Sequence, residues 1–531
     1  MPGGNRDTHV AITFHNATKY AVVGDVANDD TLVWGAPPDP DSSGYTPDVA
    51  LQPLPYKIYE TLAPLPLPDA SAPSALPGLE AIARTGAEPT GEAIPDRSTL
   101  ARIARLSNGL LGRQANSWDG KTIEFRTVGS TGALYHLEVY FVCADLPDLD
   151  AGIYHYAAHD HSLRQLRAGD VRQVIVAASG GELALAEAPV ILALTSTFWR
   201  NAWYYRSRAY RHTYWDAGTA LSHVLAVAAA RALPTRLVLG YADAAVNDLL
   251  GLNGVREATV ALCAIGRTAR PLPTAAMLPP VDHPTRPLSL HEVTFRVIPM
   301  MHQASALESG ASSSAWRAAP LRRRSPEPQG PLTPLQPLPA EHLPATPIED
   351  LILRRRSTRH YDRETPMSFA AFSTLLERSS RGVAADCLAS DAPPLHDLYL
   401  IVHNVEGLAP GVYLHHPQRH AVEVLREGDF RAQAQRLTVG QEPPRDAHVN
   451  CYYLADLDPI LECYGNRGYR LAQLGCSLSA GKLHLGTHAM GLGAVGSTAL
   501  DDEVIAFFSP HAVGKSYMFV TVFGKRRSRP A

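Results

Sequence analysis

"LEVYFVCADLPDLDAGIYHYAAHDHSLRQLRAGD" at 137–170 and "HDLYLIVHNVEGLAPGVYLHHPQRHAVEVLREGD" at 396–429 align without a gap. Tyr140, Gly152, Tyr154, Gly169 and Asp170 recur as Tyr399, Gly411, Tyr413, Gly428 and Asp429, each displaced by 259 positions. The same displacement carries Tyr205, Arg208, Tyr210 and Arg211 of "YYRSRAYR" onto Tyr464, Arg467, Tyr469 and Arg470 of "CYGNRGYR". A constant offset over so long a stretch marks an internal repeat, and two units of this size are a duplicated domain, not a solenoid.

Outward from the repeat, each copy reads the same way. A helix precedes an apolar strand ("LEVYF", "LYLIV"), a glycine-centred hairpin and a second strand ending LR-x-GD. A long helix follows, "DAGTALSHVLAVAAARAL" (216–233) and "GCSLSAGKLHLGTHAMGL" (475–492), whose small residues predict a close approach between the copies. A last strand closes each copy, at 258–266 and 516–524. This order predicts an α+β fold, with tandem duplicated domains packed as an intrachain pseudo-dimer. The expected boundaries are a leader at 1–77, domain 1 at 78–268, a Pro/Ser-rich linker at 269–345 and domain 2 at 346–531.

Composition narrows the class. With 45% hydrophobic and 19% charged residues the chain is globular, and 48 Lys and Arg against 52 Asp and Glu leave a net charge of −4. Nothing in that balance suggests nucleic acid. The opening residues lack an apolar signal core and no apolar run reaches membrane-spanning length, so a cytoplasmic protein with no membrane partner is expected. The six cysteines form no CxxC pair and read as small buried residues. The histidines of "YHYAAHDH" and "VYLHHPQRH" read as solvent-facing hairpin residues, and no metal site is expected.

"LRRRSTRHY" (353–361) gathers Arg354, Arg355, Arg356 and Arg359 around one serine. One reading is a basic helix end favoured by the macrodipole, with Thr346 as cap, Pro347 at the first helical position and Glu349 completing a capping box. The other is an oxyanion site, since guanidinium forks grip phosphate in bidentate fashion. The "LRRRS" at 321–325 has the same letters without a capped helix and is read as site-free linker.

"RRRSTRHY" after a short helix, "VGSTGALYHLEVYF", "GLGAVG" and the terminal "FGKRR" together resemble the nitroreductase superfamily. Within it they are most similar to SagB-type dehydrogenases, which oxidise thiazolines and oxazolines to thiazoles and oxazoles. The resemblance implies FMN as cofactor and a fold that normally works as a homodimer with two flavins at the interface. Each flavin would take its basic phosphate ligands from one subunit and a Ser/Gly loop from the other.

On that basis the halves are unequal. The arginine–serine motif is carried by Arg355, Arg356, Ser357 and Arg359, whereas "AIARTGAEP" in the first half keeps only Arg84. The basic end is Lys525 and Arg527 in the second half against Arg267 in the first. The loop shows the reverse: Gly129, Ser130, Thr131 and Gly132 in the first half, but "ASDAPP" (389–394) in the second. Asp216 in the first half is Gly475 in the second. One composite site is therefore expected, holding one FMN. Val495, Gly496 and Ser497 of "GLGAVGS" resemble the loop beside the flavin N5, with Gly493 and Ala494 before them. Tyr210 and Tyr469, in Tyr-Arg pairs, are the catalytic candidates, because an arginine cannot act as a base at neutral pH.

The implied activity is FMN-dependent dehydrogenation of a thiazoline- or oxazoline-type ring in a peptide or carrier-bound intermediate, beside a cyclodehydratase or synthetase partner. A nitro- or quinone-reductase and a non-catalytic scaffold of a peptide-modifying complex are the alternatives.

Overall fold

The computed structural model describes residues 4–22, 34–35, 44–69, 72–84, 91–116, 122–274, 278–319, 321, 323, 325–381, 383–389 and 392–527. Two seven-stranded sheets, antiparallel throughout, dominate it. The first runs Thr235–Val238, Glu257–Ile265, Val190–Thr197, Leu137–Cys143, Gly152–Ala157, Ser162–Ala168, Pro64–Pro66 from edge to edge. The second repeats it as Gly493–Ser497, Ser516–Gly524, Val449–Ala455, Asp397–Val402, Gly411–His416, Ala421–Glu427, Leu332–Pro334. The offset of 259 relates the two closing strands as well, Glu257–Ile265 to Ser516–Gly524. The hairpin glycines have one steric reason: a Cβ on Gly152 or Gly411 would lie 2.6 Å from a carbonyl oxygen of the next strand.

Strand alternation divides the core. Val139, Phe141 and Cys143, with Leu398, Leu400 and Val402, enter one apolar core shared by both halves. Their neighbours Tyr140 and Val142, and Tyr399 and Ile401, point into two smaller outer cores, one per half. Each sheet is thus covered on both faces, which is why its central strands read as continuous apolar runs.

The long helices Ala209–Ala230 and Arg467–Ala489 lie against each other at the centre. They start about two turns earlier than their small-residue stretches suggest, because Tyr210, Arg211, Tyr469 and Arg470 are already helical. Small residues set their approach: a Cβ on Gly218 would fall 1.9 Å from the Ser477 hydroxyl, and one on Gly481 2.4 Å from that of Ser222.

The segments read as leader and linker are built into this core. Helix His9–Ala17 has a counterpart in Val297–Ala304, buried through Ile298 and Met301. Asp501 accepts the Tyr20 amide (2.9 Å), and Arg211 reaches the His15 carbonyl (2.6 Å), the Thr18 hydroxyl (2.9 Å) and Asp501 (2.5 Å). In the same pattern Asp243 accepts the Leu307 amide (2.9 Å), and Arg470 reaches the His302 carbonyl (2.5 Å), the Ser305 hydroxyl (2.7 Å) and Asp243 (2.6 Å). Each arginine spans to the other half's aspartate, so the copies interlock. The segment 269–345 also contributes the helix Gly310–Arg317, with Trp316 buried, and the edge strand of the second sheet.

Two local expectations are corrected. Helix Ile348–Arg354 has no side-chain cap, because Glu349 is drawn away into a buried pair with Arg102 (3.0 Å) and accepts the Ser74 hydroxyl (2.9 Å). His155, His415 and His416 are buried, since their strands are covered on both faces. His155 pairs with Glu138 (2.9 Å) and His416 with Glu423 (2.8 Å). No group of metal-ligating side chains occurs among the described residues, and none of their helices is long and apolar enough to cross a membrane.

Candidate functional site

A cavity of about 350 Å³ opens where the two halves meet. The first half supplies Gly129–Gly132, Tyr205 and one face of its long helix: His212, Trp215, Asp216 and Thr219. Their spacing, i, i+3, i+4 and i+7, is that of a single helical stripe. The second half supplies Ser357, Arg359, His484 and the strand end Val495–Thr498.

The loop of the first half is held by Asp216. Its buried carboxylate accepts the Ser130 hydroxyl (2.6 Å), the Thr131 amide (2.9 Å) and the Thr131 hydroxyl (2.8 Å), and it pairs with His136 (2.9 Å). Its oxygens are therefore occupied by protein donors, and Asp216 shapes the loop. Gly132 has φ +68, and a Cβ there would meet the Tyr205 ring at 2.9 Å. On the facing wall a Cβ on Gly496 would lie 2.9 Å from Phe519. Phe519 packs on Trp215 (5.0 Å between centroids), and Trp215 on His212 (4.9 Å), so one side of the cavity is aromatic.

The basic residues form a second feature. Residues 357–362 run beside the last strand and the residues after it: the Lys525 carbonyl accepts the Asp362 amide (3.0 Å), and the Arg527 amide donates to the His360 carbonyl (3.1 Å). Among the described residues Arg356, Arg359, Lys525 and Arg527 have no carboxylate within 4.0 Å, and so they make a patch of uncompensated positive charge at the cavity. Buried Arg355 crosses the divide, donating to the Thr127 carbonyl of the first half (3.1 Å) beneath Gly129. The Nε2 of His484 finds no hydrogen-bond partner among the described residues, and burial, then Arg355, holds its pKa well below the usual histidine value.

The nitroreductase family profile matches residues 92–267 and again 352–516, one stretch in each half. The chain belongs to the nitroreductase family. Over its whole length it is similar to the crystal structure of a "putative nitroreductase" from Anabaena variabilis, at a TM-score of 0.75 and 24% identity, covering 98% of this chain and 99% of that one. It is also 27% identical over 143 residues to "Putative nitroreductase MJ1384" of Methanocaldococcus jannaschii, covering 27% of this chain and 71% of the relative.

Within this nitroreductase-family fold the residues singled out from the sequence separate into three groups. Gly129, Ser130, Thr131, Gly132, Asp216, Ser357, Arg359, Val495, Gly496 and Ser497 line the cavity together. Arg355 and Arg356 directly precede Ser357 of the cavity wall, and Lys525 and Arg527 follow the closing strand Ser516–Gly524. Tyr210 and Tyr469 lie elsewhere. Both are fully buried, and Phe14 sets its ring edge-on to each, at 5.4 and 5.8 Å. Tyr210 is hydrogen-bonded to Tyr214 (3.2 Å), Tyr469 approaches His15 (3.4 Å), and burial raises the Tyr469 pKa. As residues of the inter-half core they cannot reach a substrate, and the catalytic role expected of them is withdrawn. Sequence reading missed His212, His484, Tyr205 and Phe519; the helical stripe through Asp216 was the available signal for His212.

The position related to this cavity by the repeat is lined differently. His212, Trp215, Asp216 and Thr219 become Leu471, Leu474, Gly475 and Leu478, and Gly496 becomes Leu237. The space beside these leucines is about 60 Å³ and mostly apolar, and it adjoins a cavity of about 350 Å³ lined by Leu388, Ala389, Tyr464, Arg317 and Arg323, whose two arginines are paired with Glu182 and Asp397. The segment around 384–386 runs along the strand edge there: Leu237 donates to Ala384 (2.9 Å), and Asp386 accepts the Leu239 and Gly240 amides (2.9 Å each). Arg267, the only basic counterpart at that strand end, is paired with Glu187 (3.0 Å). Arg84 is exposed, and 85–89 of "AIARTGAEP" and 390–391 of "ASDAPP" lie outside the described residues.

Proposed function

We propose that this nitroreductase-family chain is an FMN-dependent oxidoreductase with one composite cofactor site, dehydrogenating a thiazoline- or oxazoline-type ring in a peptide or carrier-bound intermediate. The observation that supports it most is the unequal furnishing of two repeat-related positions. One has a glycine loop and, among the described residues, cations without a carboxylate partner; the other has leucines, a hydrogen-bonded segment and arginines paired with carboxylates.

The residues fit the cofactor. Arg355, Arg356, Ser357, Arg359, Lys525 and Arg527 are the proposed phosphate and ring ligands, and among the described residues four of the cations have no carboxylate to displace. Gly129–Gly132 and Val495–Ser497 offer backbone to a flat ring from opposite walls, and Asp216 keeps the first loop in shape. Bound FMN would supply two-electron acceptance. The chain's part is to orient the ring, exclude water with Tyr205, Trp215 and Phe519, and receive a proton. The substrate class follows the likeness to azoline-oxidising dehydrogenases, with a cyclodehydratase or synthetase as the enzyme that would make the azoline.

Flavin content tests the site. After reconstitution with excess FMN and desalting, denaturation should release about one flavin per chain, while two would contradict a single composite site and none would favour a scaffold. Azole formation from a thiazoline peptide under air tests the reaction; NAD(P)H-dependent reduction of nitroarenes or quinones in its place would make the chain a reductase.

A further inference from the structure

With the two tyrosines buried elsewhere, the cavity needs another group to handle a proton. We propose that His212 is the proton acceptor of this site, presenting an unprotonated Nε2 to the cavity in a tautomer fixed by Asn201. This rests on the proposed dehydrogenation.

The tautomer is set by a chain of hydrogen bonds. The Asn201 side-chain NH2 donates to the Thr131 carbonyl (3.2 Å), which orients its amide. Its oxygen then faces His212 Nδ1 at 2.8 Å and can only accept, so the ring proton belongs on Nδ1. Nε2 makes no hydrogen bond among the described residues, and His212 lies on the cavity wall. The ring is held by Tyr205 edge-on (4.6 Å) and by Trp215 (4.9 Å). Burial, then the charges of Arg208, His136 and Arg211, keeps the imidazole pKa well below its ordinary value, so it is neutral and has a lone pair at physiological pH. Asn201 thereby ties the base to the same loop that Asp216 shapes. Its counterpart at the repeat-related position is Leu471, which can take no proton.

The step balances. Of the two adjacent ring C–H bonds of an azoline, one breaks to give its proton to His212 Nε2. The other would leave as hydride with both electrons, whose acceptance bound FMN would supply, and a double bond would form between the two ring carbons.

Two measurements decide it. Long-range proton–nitrogen correlation spectra of the wild-type protein, with His212→Gln for assignment, should show His212 as the neutral Nδ1–H form at neutral pH. Asn201→Leu should abolish that preference. With azoline substrate, His212→Gln should lower kcat by about a hundred- to ten-thousandfold, the usual range for acid–base catalysis, with flavin content and KM little changed. An Nε2–H tautomer, or an unchanged kcat in His212→Gln, would overturn the assignment. A His212→Gln protein that loses flavin in step with activity would also overturn it, making the residue a structural part of the pocket. If wild-type protein oxidises no azoline, the functional reading fails separately, and the tautomer still decides whether a lone pair faces the cavity.

Discussion

Gly218 and Ser477 occupy the same place in the two copies of the repeat, and they touch each other. A residue that meets its own counterpart lies on a twofold axis. One turn further along, Ser222 meets its counterpart Gly481 with the roles exchanged, the hydroxyl now on the first half. Phe14, edge-on to both Tyr210 and Tyr469, lies near the same axis.

Gly218→Ser alone should destabilise the protein by about 1–3 kcal/mol, as overpacking of a tight contact does. Adding Ser477→Gly moves the hydroxyl to the other helix without adding volume and should recover most of the loss. Denaturant midpoints for the two single variants and the double variant measure the coupling. Strictly additive effects would mean that the helices do not meet at these two positions.

Arg355→Ala and Lys525→Ala should each weaken FMN binding about ten- to a hundredfold, the worth of one charge-assisted phosphate contact at ~1.5–3 kcal/mol. Arg84→Ala, on the exposed end of a first-half helix, should leave it unchanged. Fluorescence titration of apoprotein with FMN distinguishes these; equal losses from Arg84 and Arg355 would place the phosphate in both halves.

Acid should destabilise the fold before its carboxylates titrate. Burial lowers His223, His396, His403 and His415 to about 3, against an ordinary value of 6.5. The unfolded chain therefore binds protons that the folded chain refuses. Their contribution is intact above the ordinary value and is lost as pH falls through the window between 6.5 and about 3. About one pH unit below the ordinary value each should cost about 1 kcal/mol. Thermal melts from neutral pH downward check this, and a Tm that holds steady through that unit would contradict the neutral burial of these histidines.

The duplication was legible because identical backbone geometry was met with identical letters at hairpin glycines and helix-start arginines. The closing strands and central helices followed from the same offset. The pairing of His9–Ala17 with Val297–Ala304 was not visible, since the match there rests on His15 with His302 and Thr18 with Ser305, and the two helices are related by a different offset, 287. Proline-rich composition made 269–345 look like a tether, although its buried Met301 and Trp316 are held by contacts distant in sequence. Glu349 shows the same limit: local pattern favoured a capping box, and a buried arginine from the other half won the carboxylate. Asp216 could be found by comparing the halves, but its four donors come from residues whose placement only the folded loop determines.

The leucines at 471, 474 and 478 carry a consequence that reaches beyond this one cavity. Two identical subunits must build both of their sites from a single set of letters, so a leucine that fills one fills the other, and the assembly has no means of distinguishing them. Joining the subunits in one polypeptide removes that constraint. Each half then varies on its own, and one position can become load-carrying core while the other keeps its chemistry. The leucine-lined position here, with its covered strand edge and its paired Arg267, is the physical form of that independence: apolar packing beside the axis on one side and the glycine-loop cavity on the other.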